Sequence, residues 1–309
     1  MPPLAGETLD RITLLPCLPD RRSRTGYSFG AFGSDGVAIP AFAHPWCENR
    51  QPDSFVPRKL GRFIYGGLLM NHFGHFLTEA LSRLWFIRAH PEIPVLWHGV
   101  ALPVPHTVWP GWLQQVWSLL GLGRHLHHVI REPRRFGQVI VPQPGLTLAG
   151  GLHPSQAAAL AVVPPQPPSE ERVWLSRSSL PAQFGRLLGE GVLERRLAER
   201  GWIVRRPEMM TVADQVAVFA RADTVAGFAG SAFHTVLLCA APRARLRILH
   251  RPSVGTEIYD LVARARGLDQ AHIAVPLCPF GSVNAWTTFE LTNPQEAADM
   301  VERASDRCA

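Results

Sequence analysis

The chain is nearly devoid of lysine: of its 31 basic residues, only Lys59 is not an arginine. It contains no Asp-x-Asp pair, so the usual carboxylate bridge to a divalent cation is missing. Neither a G-x-G-x-x-G nor a Walker pattern occurs, which leaves dinucleotide and P-loop chemistry unsupported. No apolar stretch reaches the roughly 18 residues that a bilayer span needs. The five cysteines (Cys17, Cys47, Cys239, Cys278 and Cys308) are scattered, odd in number and in no C-x-x-C pair. That argues against a disulfide framework or a zinc knuckle and fits a reducing compartment. The N-terminus lacks a charged lead followed by an apolar run, so no secretory signal is expected. These absences predict a cytoplasmic chain.

The residues that are present describe a globular protein: 46% apolar, 18% charged, with a mean hydropathy near zero. At 309 residues it is long for one core and comfortable for two domains. The net charge of +6 rests on arginine, whose planar donor fork suits phosphate and carboxylate. Such a chain is compatible with phosphorylated ligands or peripheral contact with the inner face of an anionic membrane. A GC-rich genome would produce the same bias. Nucleic acid is not an expected partner, because the charge is dispersed and no recognition motif occurs.

The segment Asn71-His72-Phe73-Gly74-His75-Phe76-Leu77-Thr78-Glu79-Ala80-Leu81-Ser82-Arg83-Leu84-Trp85 is the most informative stretch. As a helix it would line up His75, Glu79 and Arg83 at i, i+4 and i+8, with Asn71 and His72 in the first turn. The rest of its surface is apolar. A polar stripe on a core helix must be paired or face a site, because unpaired burial costs several kcal/mol. An imidazole one turn from a carboxylate is how a general base is oriented. The plainer reading is a structural cluster of paired side chains.

Residues 1 to about 65 read as short strands and turns, including Ile12–Leu15. A helix over 71–90, stopped by Pro91, precedes a strand at Val95–Trp97, a helix over Gly111–Leu120 and a strand at Gln138–Val141. The Pro-rich stretch Ala157–Pro168 is the best domain boundary. Beyond it, strands at Val173–Ser176, Trp202–Arg205, Thr224–Gly227, Arg245–His250 and His272–Val275 alternate with four helices. Those helices are Leu187–Arg200, Thr211–Arg221, Ser231–Cys239 and Thr256–Arg266. Thr211 and Asp214 form a variant capping box, and Ser231 is the expected cap of the third helix. Such alternation predicts βαβ crossovers and a parallel sheet. A last helix follows over Pro294–Arg303. The predicted domains are 1–160, 161–275 and a tail, 276–309, whose helix could pack back on the first domain.

Three sites gather on the carboxyl edge of that sheet, where ligands bind in open α/β folds. Gly227-Phe228-Ala229-Gly230-Ser231 joins strand to helix, allowing close backbone approach and presenting amides to an anion. Arg177 and Arg186 could clamp a diphosphate. Glu208, after the second strand, could accept a bond from a sugar hydroxyl. Singly, each reads more plainly as a tight turn or a solvated side chain; sharing one edge gives them weight.

Three blocks carry a likeness to a known family. They are Asn71-x-x-Gly74-His75-Phe76-Leu77-x-Glu79-x-Leu81-x-Arg83-Leu84-Trp85; Trp174-Leu175-Ser176-Arg177 through Arg186 and Glu190; and Pro207-Glu208 through Asp214-Gln215 to Gly227-Phe228-Ala229-Gly230-Ser231-Ala232-Phe233-His234. In order and spacing the chain resembles bacterial glycosyltransferases of family 61. The resemblance implies a GT-B-like architecture of two Rossmann-like domains facing a cleft, with a nucleotide sugar held mainly by the second, and inversion at the anomeric carbon. It gives Arg177 and Arg186 contact with the diphosphate, Gly230 and Ser231 a place at the phosphates, and Glu208 a place near the nucleoside or sugar. Two positions depart from the family pattern. Gly189 stands where an Asn usually precedes the Glu, and Ala229 where the glycine-rich turn usually has His; His234 lies one turn on and could partly replace it.

The leading expectation is therefore a metal-independent, cofactor-free hexosyl- or pentosyltransferase moving a sugar from a nucleoside-diphosphate donor, UDP-linked by analogy. The acceptor would be a hydroxyl of a glycan or lipid-linked surface polysaccharide. His75 or Glu79 would serve as base, with Asn71, His72 and Arg83 acceptor-side or structural. Two rivals stand beside it. One is a non-catalytic nucleotide- or glycan-binding relative. The other is a metal-dependent hydrolase using His72, His75 and Glu79.

Overall fold

The computed structural model describes residues 1–24, 26–44, 47–51, 56–100, 109–124, 126–181, 184–252, 254–283 and 286–306. The chain divides into two compact units, Met1–Ala159 and Leu160–Ala309. Cys308 lies outside the described residues.

The first unit is built on a mixed sheet of seven strands: β1 (Gly6–Pro19), β2 (Tyr27–Phe32), β3 (Glu48–Asn49), β4 (Arg58–Met70), β5 (Val95–Val100), β6 (His127–Ile130) and β7 (Arg134–Pro142). Their spatial order is β3-β2-β1-β7-β4-β5-β6. The β7-β4-β5-β6 portion is parallel, while β1 runs antiparallel to both β2 and β7. A small ribbon of β8 (Leu146–Thr147) and β9 (Gly151–Leu152) follows. The helices are α1 (Phe73–Thr78), α2 (Leu84–Ala89), α3 (Gly111–Leu119) and α4 (Pro154–Leu160). One core cluster joins Ile12 and Leu14 of β1 to Phe63, Tyr65 and Leu68 of β4 and Phe136 and Val139 of β7. It also places the thiols of Cys17 and Cys47, distant in sequence, 3.4 Å apart as free cysteines.

Strand β4, at the centre of this sheet, was not expected from the sequence. Gly61, Gly66 and Gly67 lower its strand propensity, yet two of them are required where they stand. A Cβ on Gly66 would lie 2.6 Å from the indole of Trp97. Gly67 has φ +121°, beside a register shift in the pairing with β5, a local irregularity that glycine accommodates.

The 71–90 segment is not one helix. After α1 the backbone departs at Glu79 (φ −116°, ψ −55°), a 3₁₀ turn covers Ala80–Arg83, and α2 resumes at Leu84. The His72 ring caps α1 by accepting the amide hydrogen of His75 at 3.3 Å. The break rotates Arg83 off the stripe that His75 and Glu79 share.

The second unit contains β10 (Arg172–Leu175), β11 (Leu187–Leu188), α5 (Glu190–Glu199), β12 (Ile203–Arg205), α6 (Val212–Arg221), β13 (Thr224–Phe228), β14 (Arg245–Leu249), α7 (Glu257–Arg266), β15 (Gln270–Ile273), β16 (Leu277–Val283), β17 (Trp286–Leu291) and α8 (Pro294–Ser305). Five strands form a wholly parallel sheet in the order β12-β10-β13-β14-β15. The chain steps from β10 outward to β12 and returns to β13 on the other side of β10. Right-handed crossovers then put α5 and α6 on opposite faces, and the order reverses between β10 and β13.

Two local expectations are corrected here. Leu187–Leu188 is not helical but pairs in parallel with β17, and Gly189 (φ +84°) turns the chain into α5. Ser231 is not a cap: extended Gly230 (φ 179°) holds that position, and Ser231 is the first residue of a 3₁₀ helix, Ser231–Leu238. Thr211 caps α6 as expected, the Asp214 amide donating to Thr211 Oγ1, while the Asp214 carboxylate accepts from the Thr211 hydroxyl in place of the reciprocal backbone bond of a capping box.

The 276–309 tail belongs to the second unit. Helix α8 packs Ala297, Ala298 and Val301 into one cluster with Leu193 and Leu197 of α5 and Trp174 of β10. Arg172 and the indole N–H of Trp202 both reach Glu302, at 2.6 and 2.5 Å, and Arg200 reaches Asp299 at 2.5 Å.

Candidate active site

In the first unit, α1 brings His75 and Glu79 together because four residues make one turn. His75 Nδ1 and Glu79 Oε1 are 2.5 Å apart, with both side chains about one-third exposed. The other oxygen, Oε2, lies 3.5 Å from Nε2 of His44, so the carboxylate sits between two imidazoles. Burial holds His44 below the ordinary histidine range; Glu79 opposes that shift, while Arg83 and His75 reinforce it. His72 is exposed, its ring 4.5 Å from that of His75. Asn71 is exposed, and its amide donates to the carbonyl of Val100 at 3.4 Å.

Arg83 does not complete a His–Glu–Arg line. Its Nε donates to the Pro142 carbonyl at 2.9 Å, and its guanidinium lies 5.3 Å from the centre of the Tyr65 ring. It therefore braces β4 against β7. Beneath it, buried Tyr65 and His98 form a polar line that the sequence reading missed. His98 Nε2 donates to the carbonyl of Leu15 at 2.9 Å, which leaves Nδ1 to accept from the Tyr65 hydroxyl, also at 2.9 Å. Burial drives His98 down to about 4, so the ring is neutral at pH 7.

In the second unit the order reversal puts the ends of β10 and β13 side by side, and Arg177 and the Gly230 turn lie there. The Arg177 amide donates to Glu190 Oε1 at 2.9 Å, and its Nη2 donates to the carbonyl of Phe184 at 2.5 Å. Its Nη1 occupies the space where a Cβ on Gly230 would sit, so glycine is needed there for contact rather than for backbone freedom. Burial lowers the Arg177 pKa, and Glu190, Tyr259 and Glu208 counter the shift.

Glu208 is exposed on the 3₁₀ turn Pro207–Met209, near enough for Arg177 to feel its charge. Arg186 is exposed and bonds to none of the described residues. His234 stacks on Tyr259, with ring centres 5.0 Å apart and planes 12° from parallel.

Three residues that the sequence reading did not put in the site stand in it. Arg251, 7% exposed, donates through Nη1 to the carbonyl of Ala229 at 3.0 Å. Glu190, fully buried, accepts from Arg177 and from the Trp174 indole, and burial pushes it up to about 7. Tyr259 is buried, and its hydroxyl is pushed up to about 12 by burial. Glu190 closes the second of the three sequence blocks but was given no role there; Arg251 and Tyr259 were marked by no motif and follow β14 in an ordinary-looking loop and helix.

Among the described residues, no three His, Cys, Asp or Glu side chains converge as a metal-holding group, and His72, His75 and Glu79 do not form one. No helix among them is long and apolar enough to cross a membrane.

A parallel sheet of order 2-1-3-4-5, with a glycine turn and arginines at its switch point, places the second unit in the doubly wound α/β class. The sequence profile described as Glycosyltransferase 61 matches residues 73–246, more than half of the chain, and the chain belongs to that family. It is therefore a glycosyltransferase, with a nucleotide-sugar donor and a glycan acceptor. The matched span opens at α1 and ends within β14, so it includes His75, Glu79, Arg177 and Gly230 but stops short of Arg251. No curated protein matches the chain.

Proposed function

We propose that the protein is an inverting, metal-independent glycosyltransferase of GT-B type. The second unit would hold a nucleoside-diphosphate sugar, UDP-linked by preference, and the first unit would receive a hydroxyl of a glycan or lipid-linked surface polysaccharide. The observation that carries this reading is the His75–Glu79 pair at 2.5 Å, inside the stretch matched to the family. With Nδ1–H donated to the carboxylate, the ring's lone pair is on Nε2, the atom that can take a proton.

In this reaction the acceptor hydroxyl gives its proton to His75 as its oxygen attacks the anomeric carbon. The bond to the diphosphate breaks, and the nucleoside diphosphate leaves from the opposite face. Glu79 steadies the imidazolium that forms, and a general base of this kind contributes about 10²–10⁴ in rate. Charge on the leaving group is met by Arg177, by Arg186 once a donor orders it, and by the amides after Gly230. Glu208 faces the nucleoside or sugar, and His234 serves in place of the His absent at Ala229. Asn71 and His72 lie on the acceptor side, and Arg83 supports the strand beneath them. The absence of Asp-x-Asp supports catalysis without a metal bridge. The basic surface suits work at the cytoplasmic face of an anionic membrane.

The test is separate replacement of His75 and Glu79 by Ala, with UDP binding followed by calorimetry and turnover by donor hydrolysis and transfer. Both variants should bind UDP and lose turnover; wild-type turnover by both would refute the assignment. Wild-type protein that binds donor without hydrolysis or transfer would instead favour a non-catalytic relative, the reading that the altered turn at Ala229 supports.

A further inference from the structure

Two guanidinium groups span the same gap between two backbone segments of the second unit. Arg177 reaches from the carbonyl of Phe184 to the space beside Gly230. Arg251 reaches from the carbonyl of Ala229 to the space beside Gly185. Both glycines are buried, and a side chain at either would displace a guanidinium. The Nε–H of each arginine is buried with no acceptor among the described residues. Among those residues neither arginine is within ion-pair distance of a carboxylate, and Glu190, the nearest acid to face Arg177, is held partly protonated by burial. Their mutual repulsion is felt: burial, and then Arg177, brings Arg251 down to about 10. A protein that packs two like charges together and leaves donors unmade is arranged for an anion that is not part of the chain.

The anion is identified by the setting. The pair lies at the switch point between β10 and β13, beside Tyr259 and the Gly230 turn. Two adjacent guanidinium groups match two linked phosphates, each offering oxygens to one planar fork. We infer that Arg251, beyond the stretch matched to the family, is a donor-binding residue that forms with Arg177 the seat of the diphosphate. Arg186, which the sequence pairs with Arg177, is then a peripheral contact. This rests on the nucleotide-sugar reading above, which it refines by naming the residue that holds the leaving group.

The experiment is calorimetry of the full chain and its R251Q and R251K variants against three probes: UDP, inorganic pyrophosphate and uridine. Gln at this position keeps a donor for the Ala229 carbonyl and loses the charge; Lys keeps the charge and loses the fork. Wild type should bind UDP, pyrophosphate and, more weakly, uridine. R251Q should weaken both by roughly 10- to 100-fold, as loss of a charge-assisted hydrogen bond does, and leave uridine unchanged. R251K should fall between the two. A merely structural Arg251 would weaken uridine equally, and that result overturns the inference. So does UDP binding by R251Q equal to that of wild type, which leaves the donor reading standing. Pyrophosphate binding lost in R251Q, in a protein that ignores UDP and uridine, keeps the seat and removes the nucleotide. Wild type that binds none of the probes overturns both.

Discussion

Glu190 offers a pH-dependent test of how the second unit is held together. Its Oε1 accepts two hydrogen bonds, from the Arg177 amide and the Trp174 indole, while Oε2 is buried without a partner among the described residues. Burial raises it from 4.5 to about 7; the charge of Glu194 adds to the rise, and the bond from Arg177 opposes it. The folded state thus keeps a proton that the unfolded chain releases. The resulting stabilisation is complete below 4.5 and is lost as pH rises through about 7. The interval corresponds to about 3 kcal/mol. Glu190→Gln cannot ionise, yet its carbonyl can accept the same two bonds. Urea unfolding of both proteins, followed by tryptophan emission from about pH 4 to about pH 8, should show the variant gaining about 3 kcal/mol on wild type across that range. A difference that stays constant with pH would show that Glu190 ionises normally, and the reasoning would be wrong.

Two further substitutions test the backbone argument. Gly66→Ala drives a methyl to 2.6 Å from the ring of Trp97. That indole is fully buried and bonded to His127 at 3.0 Å, so it cannot yield. Stability should fall by about 1–3 kcal/mol, and an unchanged urea midpoint would contradict the packing. At Gly189 the left-handed backbone (φ +84°) suits Asn, but any added Cβ meets the Leu291 carbonyl at 3.0 Å, so Gly189→Asn should cost something and still cost less than a β-branched residue. Gly189→Val should cost roughly 1–2 kcal/mol or more by thermal unfolding, since β-branched residues resist the left-handed region.

The Gly189 backbone conformation bears on the departures from the family pattern. Asn and Gly are the two residues that accept a left-handed backbone readily, so Gly189 in place of the usual Asn preserves the turn into α5. The second departure is of another kind. Ala229 is buried, its amide donates to Leu249 and its carbonyl accepts from Arg251, so the backbone there is fully engaged. The change removes only side-chain chemistry.

The alternation of strands and helices beyond residue 170 was readable from the sequence, because buried parallel strands are short apolar runs punctuated by glycine and caps. Periodicity is local, and so are its consequences: the Thr211 cap of α6, the His75–Glu79 turn and the glycine turn after β13. What pairs across the fold left no such trace. Strand β4 has no distinct signal among the short strands and turns of its region until Trp97 is placed over Gly66. Arg83 reads as the third member of a polar stripe until Glu79 breaks the helix and Pro142 takes its Nε–H. Arg177 reads as the partner of Arg186, nine residues away, and only the reversal of strand order sets it beside Arg251. Composition and spacing decide which elements form; which side chains meet depends on contacts between residues tens of positions apart, and those exist only once the sheet has closed.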